Sequence, residues 1–369
     1  MLAAQRLTRA TSGFLDVLRL LAAGTVFASH CAMYWRPQLA AVLAPLGHNA
    51  VVVFFVLSGY VVTYSTMSKP DRDPRAYIVA RLSRLYSVLM PALALTAMLA
   101  FVGAQIAPRF YADLSRGHDA VRYALSAVFL QNVWTLSASP PTNGPLWSLS
   151  YEFWYYVLFG CAVFVRPRSV RLVSIAGAVA VAGPNILLLM PCWIVGAVVC
   201  LKRQWLTQRL TWPYAAFFAG SLLLVSSIVA MPPLPLAVGT PRWFFSASFL
   251  TNWVTALAVA TLIASVAAMP LEWPGARVAG WLRRGGDLTF ALYLLHYPLI
   301  IFLTAALPFD KSNPLHAAGA GAALLALVVT MGAVLERMRP AWTSLFAGIF
   351  LRTRDGAPGE AHARRQAPS

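Results

Sequence analysis

Apolar runs of roughly 17–25 residues, the length that carries a helix across a bilayer, recur along almost the whole chain. They fall near 14–34, 46–67, 84–107, 146–165, 170–183, 185–201, 212–231, 248–269, 287–307 and 317–336. Such a pattern specifies an all-α, polytopic integral membrane protein of about ten transmembrane helices around a polar cavity. Only 11% of the 369 residues are charged, against ~25% in an ordinary soluble domain. The fifth and sixth runs are short and share the turn signal Gly183-Pro184-Asn185, so they form either a hairpin or a pair of broken helices. A further stretch, 121–136, is too short and too polar for a span and either lies at the interface or re-enters.

A net charge of +17 is of the size nucleic-acid binders carry, but the basic residues sit in short clusters between apolar runs rather than in one patch or tail. Orientation explains them better. Arg6 and Arg9, the five from Lys69 to Arg84, Arg166 to Arg171, Lys202 to Arg209, Arg277 to Arg284 and six from Arg337 to Arg365 place 22 basic residues on the side of the termini. Arg36, Arg109, Arg116, Arg122, Arg242 and Lys311 are the six opposite. Both termini are therefore expected in the cytoplasm, with 1–13 a cytoplasmic N-terminus, 14–340 the membrane domain and 341–369 a disordered cytoplasmic tail. The first run has no small-residue cleavage site and reads as an uncleaved span. Cys31, Cys161, Cys192 and Cys200 lack metal-ligand spacing, so no disulfide framework and no zinc site is expected.

Within the first run, Asp16, Arg19 and His30 are out of place in hydrocarbon. Arg19 and His30 are eleven residues apart, about 1100° of helical turn, so they share one face on the order of 16 Å apart along the axis. Asp16 lies a salt-bridge step below Arg19. Ionisable groups in a span normally face a bundle interior or a wet cavity and mark a functional path. The plainer account is an interface-snorkelling Asp16–Arg19 pair and a histidine bonded to a neighbouring helix. In the second run Ser58 and Gly59 either let another helix approach closely or open space for a ligand's narrow arm. Arg81 and Arg84 share a face at the start of the third span, as positive-inside anchors or as partners for phosphates. Glu152, among Trp147, Ser148 and Ser150 in the fourth run, sits at about the depth of His30; the two are candidate partners. His296, followed by Pro298 in the ninth run, reads as a buried structural histidine, and Glu336-Arg337-Met338-Arg339-Pro340 as a cytoplasmic anchor.

In order, these segments resemble the membrane-bound acyltransferase 3 family: Asp16-x-x-Arg19 with His30; Phe54-x-x-x-Ser58-Gly59; Arg81 and Arg84; Ser148-Leu149-Ser150-x-Glu152; and Tyr293-Leu294-Leu295-His296-Tyr297-Pro298. The resemblance covers residues 14–340. It implies a bacterial inner-membrane enzyme moving acetyl or another short acyl group from cytoplasmic acyl-CoA to a hydroxyl, usually on a sugar. It implies that His30 is catalytic with Arg19 and Glu152, that Arg84 with Arg81 or Arg75 holds the donor alongside Ser58 and Gly59, and that Asp16, Trp147, Ser148, Ser150, Tyr293 and His296 support the site. The expected partners are acyl-CoA, a carbohydrate acceptor and membrane lipid, with neither nucleic acid nor metal. No fused SGNH domain is present, so the two-stage transfer of relatives that carry one is not implied.

On that reading His30 takes the acceptor's proton or briefly carries the acyl group, Glu152 orients it, and the arginines grip the CoA phosphates. Cys31, one residue on, points about 100° away. A lipid-linked sugar transporter or flippase, acylation of a non-sugar molecule, and a non-catalytic sensor are the competing readings.

Overall fold

The structure, a computed structural model, describes residues 7–69, 73–235 and 243–351. Its helices are α1 (Arg9–Trp35), α2 (Pro37–Met67), α3 (Pro74–Ile106), α4 (Pro108–Leu114), α5 (Asp119–Ala127), α6 (Trp147–Phe164), α7 (Arg168–Leu201), α8 (Arg203–Arg209), α9 (Pro213–Val229), α10 (Phe249–Ala268), α11 (Ala276–Ala306) and α12 (Pro314–Phe350). No strand occurs among the described residues. Arg6, Arg72, Arg242 and the tail from 352 lie outside them.

Local chemistry starts these helices where they start. The Thr8 hydroxyl accepts from the Thr11 amide, Asp73 from Arg75 and Ala76, and Asn313 from Leu315, each satisfying amides that have no partner inside the helix. Proline opens α2, α3, α4, α9 and α12, at the position where its missing N–H costs nothing.

Seven described helices are long and apolar enough to cross a membrane, or eight when α8 and α9, bent by 112°, count as one span. α6 is not among them, because its serines, tyrosines and Glu152 lower its hydropathy. The fifth and sixth apolar runs lie together in α7, interrupted at Gly183 by a non-helical backbone (φ 74, ψ 176). The chain reverses there. Three residues join α6 to the start of α7, and Arg203, just past its end, lies over Tyr64 near the end of α2. Those points share one end of the bundle, since Tyr77 of α3 packs on Phe164 of α6 and Arg81 reaches Ser65 of α2. The middle of α7 is at the other end, where Trp134 donates to the carbonyls of Ala182 and Ala180. Of the two readings of Gly183-Pro184-Asn185, the contacts select the hairpin.

α1 packs on α2 and α11, α2 on α7, and α3 on α11 and α12. The α2–α7 crossing depends on two glycines: a β-carbon on Gly59 would overlap the Trp193 carbonyl, and one on Gly196 the Val56 carbonyl. Of the two readings of Gly59, the close approach of another helix is the one seen at this crossing. The 121–136 stretch begins as α5 and then leaves regular structure to bury Phe129, Gln131 and Asn132. Phe129 is sandwiched between Tyr86 and Phe153. The stretch re-enters the protein body, where irregular backbone is shielded from lipid. Residues 341–350 are helical, against the expectation of disorder, because Trp342 and Phe346 pack on Tyr86.

Candidate active site

A cavity of about 210 Å³ lies among Arg19 of α1, Ser65 of α2, Arg81 of α3 and Arg339 of α12. Four guanidiniums line it, Arg19 of α1, Arg81 and Arg84 of α3 and Arg339 of α12, against the single carboxylate of Glu152. Arg19 lies 3.3 Å from Asp16, and α11 can approach this pair because it presents Gly286, where a β-carbon would come within 3.1 Å of the Asp16 carboxylate. Arg81 donates to the Ser65 hydroxyl at 3.3 Å, and its guanidinium lies 5.7 Å from both the Tyr77 and Tyr156 rings. Arg339 reaches Glu336 at 3.5 Å. Arg84 lies 5.6 Å over the Phe290 ring and has no ion pair among the described residues. The lining therefore carries an excess of positive charge that an anion would neutralise.

Glu152 faces this cavity, not His30. One of its oxygens, Oε1, accepts from the Ser58 hydroxyl at 3.1 Å and from the Tyr156 hydroxyl. The Trp193 indole N–H in turn donates to Ser58 at 3.2 Å. The expected His30–Glu152 partnership is absent because Ser58 and Tyr156, one turn along α6 from Glu152, already hold the carboxylate on the other side of the partition described below.

His30 pairs instead with His296: Nδ1 of the first is 2.7 Å from Nε2 of the second, with the rings 5.0 Å apart and 20° from parallel. Tyr297 stands edge-on to His30 at 4.9 Å and shares a 2.9 Å hydroxyl contact with Tyr34. His30 opens into a second cavity of about 210 Å³, with Arg116, Ser139, Trp147 and Tyr297 among its walls. Trp147 is held there by Phe245, stacked 4.2 Å away.

Tyr293 stands where the two cavities meet. Its hydroxyl is 2.9 Å from that of Ser148, which lines the first cavity, and donates at 3.1 Å to the carbonyl of Pro145, which lines the second. Phe54 packs on its ring. Two chambers thus lie along α1 between Arg19 and His30, with Tyr293 between them.

The remaining expected site residues separate by what they touch. Ser58, Ser148 and Tyr293 line the first cavity. Asp16 stands behind it as the partner of Arg19. Ser150 is fully buried and donates to the Phe129 carbonyl at 2.7 Å, anchoring the re-entrant loop. Arg75 is exposed in the first turn of α3, outside both linings, so Arg81 is the residue that joins Arg84. Cys31 lines a separate apolar crevice between α1 and α12. Among the described residues, no group of three or more His, Cys, Asp and Glu is placed to hold a metal ion. Sequence reasoning missed Arg339, whose cluster reads equally well as an anchor, and Tyr156, whose i+4 spacing from Glu152 was the available signal.

The sequence profile of the acyltransferase domain family matches residues 12–335. An O-acetyl transferase of Shigella phage Sf6 is 30% identical over 159 residues, 41% of this chain and 46% of that protein. The match spans about half the length of that relative. No solved structure matches the chain.

Proposed function

The chain belongs to the acyltransferase domain family, and from that premise we propose that it is a membrane O-acyltransferase, moving acetyl or another short acyl group from cytoplasmic acyl-CoA to a hydroxyl of a cell-surface or exported carbohydrate. The observation that carries this reading is the pair of cavities: four guanidiniums line one, and His30 opens into the other from the same face of α1.

The arginine cavity takes the donor. Guanidinium forks match phosphate oxygens, and CoA presents a pyrophosphate and a 3′-phosphate. With the basic clusters on the cytoplasmic side, Arg84, Arg81, Arg19 and Arg339 meet the nucleotide as it arrives. Phe54, Val61 and Phe290 offer the pantetheine arm an apolar wall, and the free oxygen of Glu152 offers its amides an acceptor. The reach from Arg19 to His30, on the order of 16 Å by helix rise, is that of an extended pantetheine. The thioester arrives at His30 once Tyr293 yields.

The acceptor occupies the second cavity. His30 takes the proton of the sugar hydroxyl as its oxygen forms a bond to the thioester carbonyl carbon. The tetrahedral oxyanion collapses, the C–S bond breaks, and the sulfur leaves with the proton that His30 returns.

The test is transfer by the purified protein in nanodiscs, supplied with radiolabelled acetyl-CoA and a panel of bacterial oligosaccharides. Acceptor-dependent release of CoA with label on the sugar is the expected result. A folded protein that neither binds nor consumes acyl-CoA would overturn the reading and favour a sugar transporter.

A further inference from the structure

His296 plays no part in the chemistry above, yet it is fully buried and makes two short contacts whose directions can be worked out. Its Nδ1 lies 2.7 Å from the carbonyl oxygen of Leu292, one turn earlier on α11. A carbonyl oxygen only accepts, so the proton of this bond belongs to Nδ1. A neutral imidazole carries one N–H, which leaves Nε2 of His296 as an acceptor. That nitrogen is 2.7 Å from Nδ1 of His30. The bond between the rings therefore needs a donor on the His30 side, and the proton of His30 resides on Nδ1. The alternative, His296 carrying both protons, places a cation among Phe27, Tyr293 and Tyr297 with no carboxylate in contact, where an unpaired charge is strongly disfavoured.

We propose that His296 is a positioning residue: through the Leu292 carbonyl it fixes the tautomer of His30, leaving His30 Nε2 as the unprotonated nitrogen that takes the acceptor's proton. When that proton arrives, the positive charge on His30 is met by the lone pair of His296, itself anchored to the backbone. A neutral imidazole thus fills the place that a carboxylate holds beside many catalytic histidines. Tyr297 packs edge-on against the His30 ring, 4.9 Å between centroids. The assignment rests on the acyltransferase reading for its consequence, but the tautomer can be measured without any turnover.

Two substitutions separate positioning from packing. Glutamine can set its side-chain oxygen where Nε2 of His296 stands and still accept from His30, whereas leucine fills the space and accepts nothing. His296→Leu should lower kcat by about 100-fold or more, the scale of a lost general base, with KM for acyl-CoA within about twofold of wild type. His296→Gln should recover kcat to within about tenfold of wild type. A folded leucine variant turning over within about threefold of wild type, or glutamine and leucine variants equally impaired, would overturn the proposal. Independently, ¹⁵N NMR of histidine-labelled wild-type protein, with His30 assigned by its loss in His30→Asn, should show a pyrrole-type Nδ1 and a pyridine-type Nε2. An Nε2–H tautomer refutes the relay even in an active enzyme. The expected tautomer in a protein that transfers nothing would count against the acyltransferase reading instead.

Discussion

Arg84 offers the sharpest test of donor binding, because it lines the cavity without an ion pair. Removing a paired arginine confounds binding with folding. Arg19→Ala, for example, would leave the largely buried Asp16 without its partner, a change that costs stability as well as affinity. Arg84→Ala strands no carboxylate; Arg84 is half-buried over the Phe290 ring, and losing that contact should cost about 0.5–1 kcal/mol of stability. What it loses is contact with the donor. A hydrogen bond to a charged group is worth about 1.5–3 kcal/mol, and every 1.4 kcal/mol is a factor of ten, so KM for acetyl-CoA should rise roughly 10- to 150-fold. Because the phosphates sit far from the reacting carbonyl in ground and transition states alike, kcat should hardly move. Arg84→Lys keeps the charge but not the fork and should fall between. The assay is thiol release by purified protein in nanodiscs across a range of acetyl-CoA concentrations, with Arg337→Ala, exposed on α12, as the basic-residue control. An unchanged KM for Arg84→Ala, or an equal rise for Arg337→Ala, would refute a donor site built from these guanidiniums.

Three further substitutions probe the rest of the arrangement. His30→Ala should lower kcat by about 10²–10⁴ while the melting transition is kept; normal turnover in the folded variant would remove His30 from the chemistry. Cys31→Ser should retain full turnover, since the thiol faces the apolar crevice beside α12, and a large loss would reinstate a thiol nucleophile. Gly59→Leu should lower thermal stability by about 1–3 kcal/mol, because its side chain enters the Trp193 backbone of α7; an unshifted melting temperature would show that the α2–α7 crossing is not tight there.

What was legible in the sequence was local. Arg19 and His30 share a face of α1, and Arg81 with Arg84 a face of α3, because helical periodicity fixes direction within one element. Depth relative to other helices is a different matter. Counting inward from the ends of apolar runs set His30 beside Glu152 and left His296 unpaired. α11, however, begins at Ala276, eleven residues before the apolar run at 287–307, so run ends do not mark a common level. Gly59 is ambiguous for a related reason: a missing side chain serves a ligand and a crossing helix equally well, and only the position of Trp193 decides. Arg337 and Arg339 read alike in sequence, and helix phase against α3 brings one of them into the cavity.

The shared wall gives the chemistry its order. With its hydroxyl bonded to Ser148 and to the Pro145 carbonyl, Tyr293 stands between the arginines and the chamber that holds His30. Two hydrogen bonds of this kind hold the wall by only about 1–3 kcal/mol, less than a CoA nucleotide gains from even two guanidinium contacts at about 1.5–3 kcal/mol each. On the proposed reading, remote phosphate binding therefore supplies the energy that moves Tyr293, and His30 meets a thioester only when a complete donor is seated. Acetyl-pantetheine, lacking the phosphates, should then be a poor substrate in kcat as well as in KM, and Tyr293→Phe should restore part of its kcat while changing that of acetyl-CoA far less. Equal kcat for the two donors in the wild-type protein would show that the wall imposes no order.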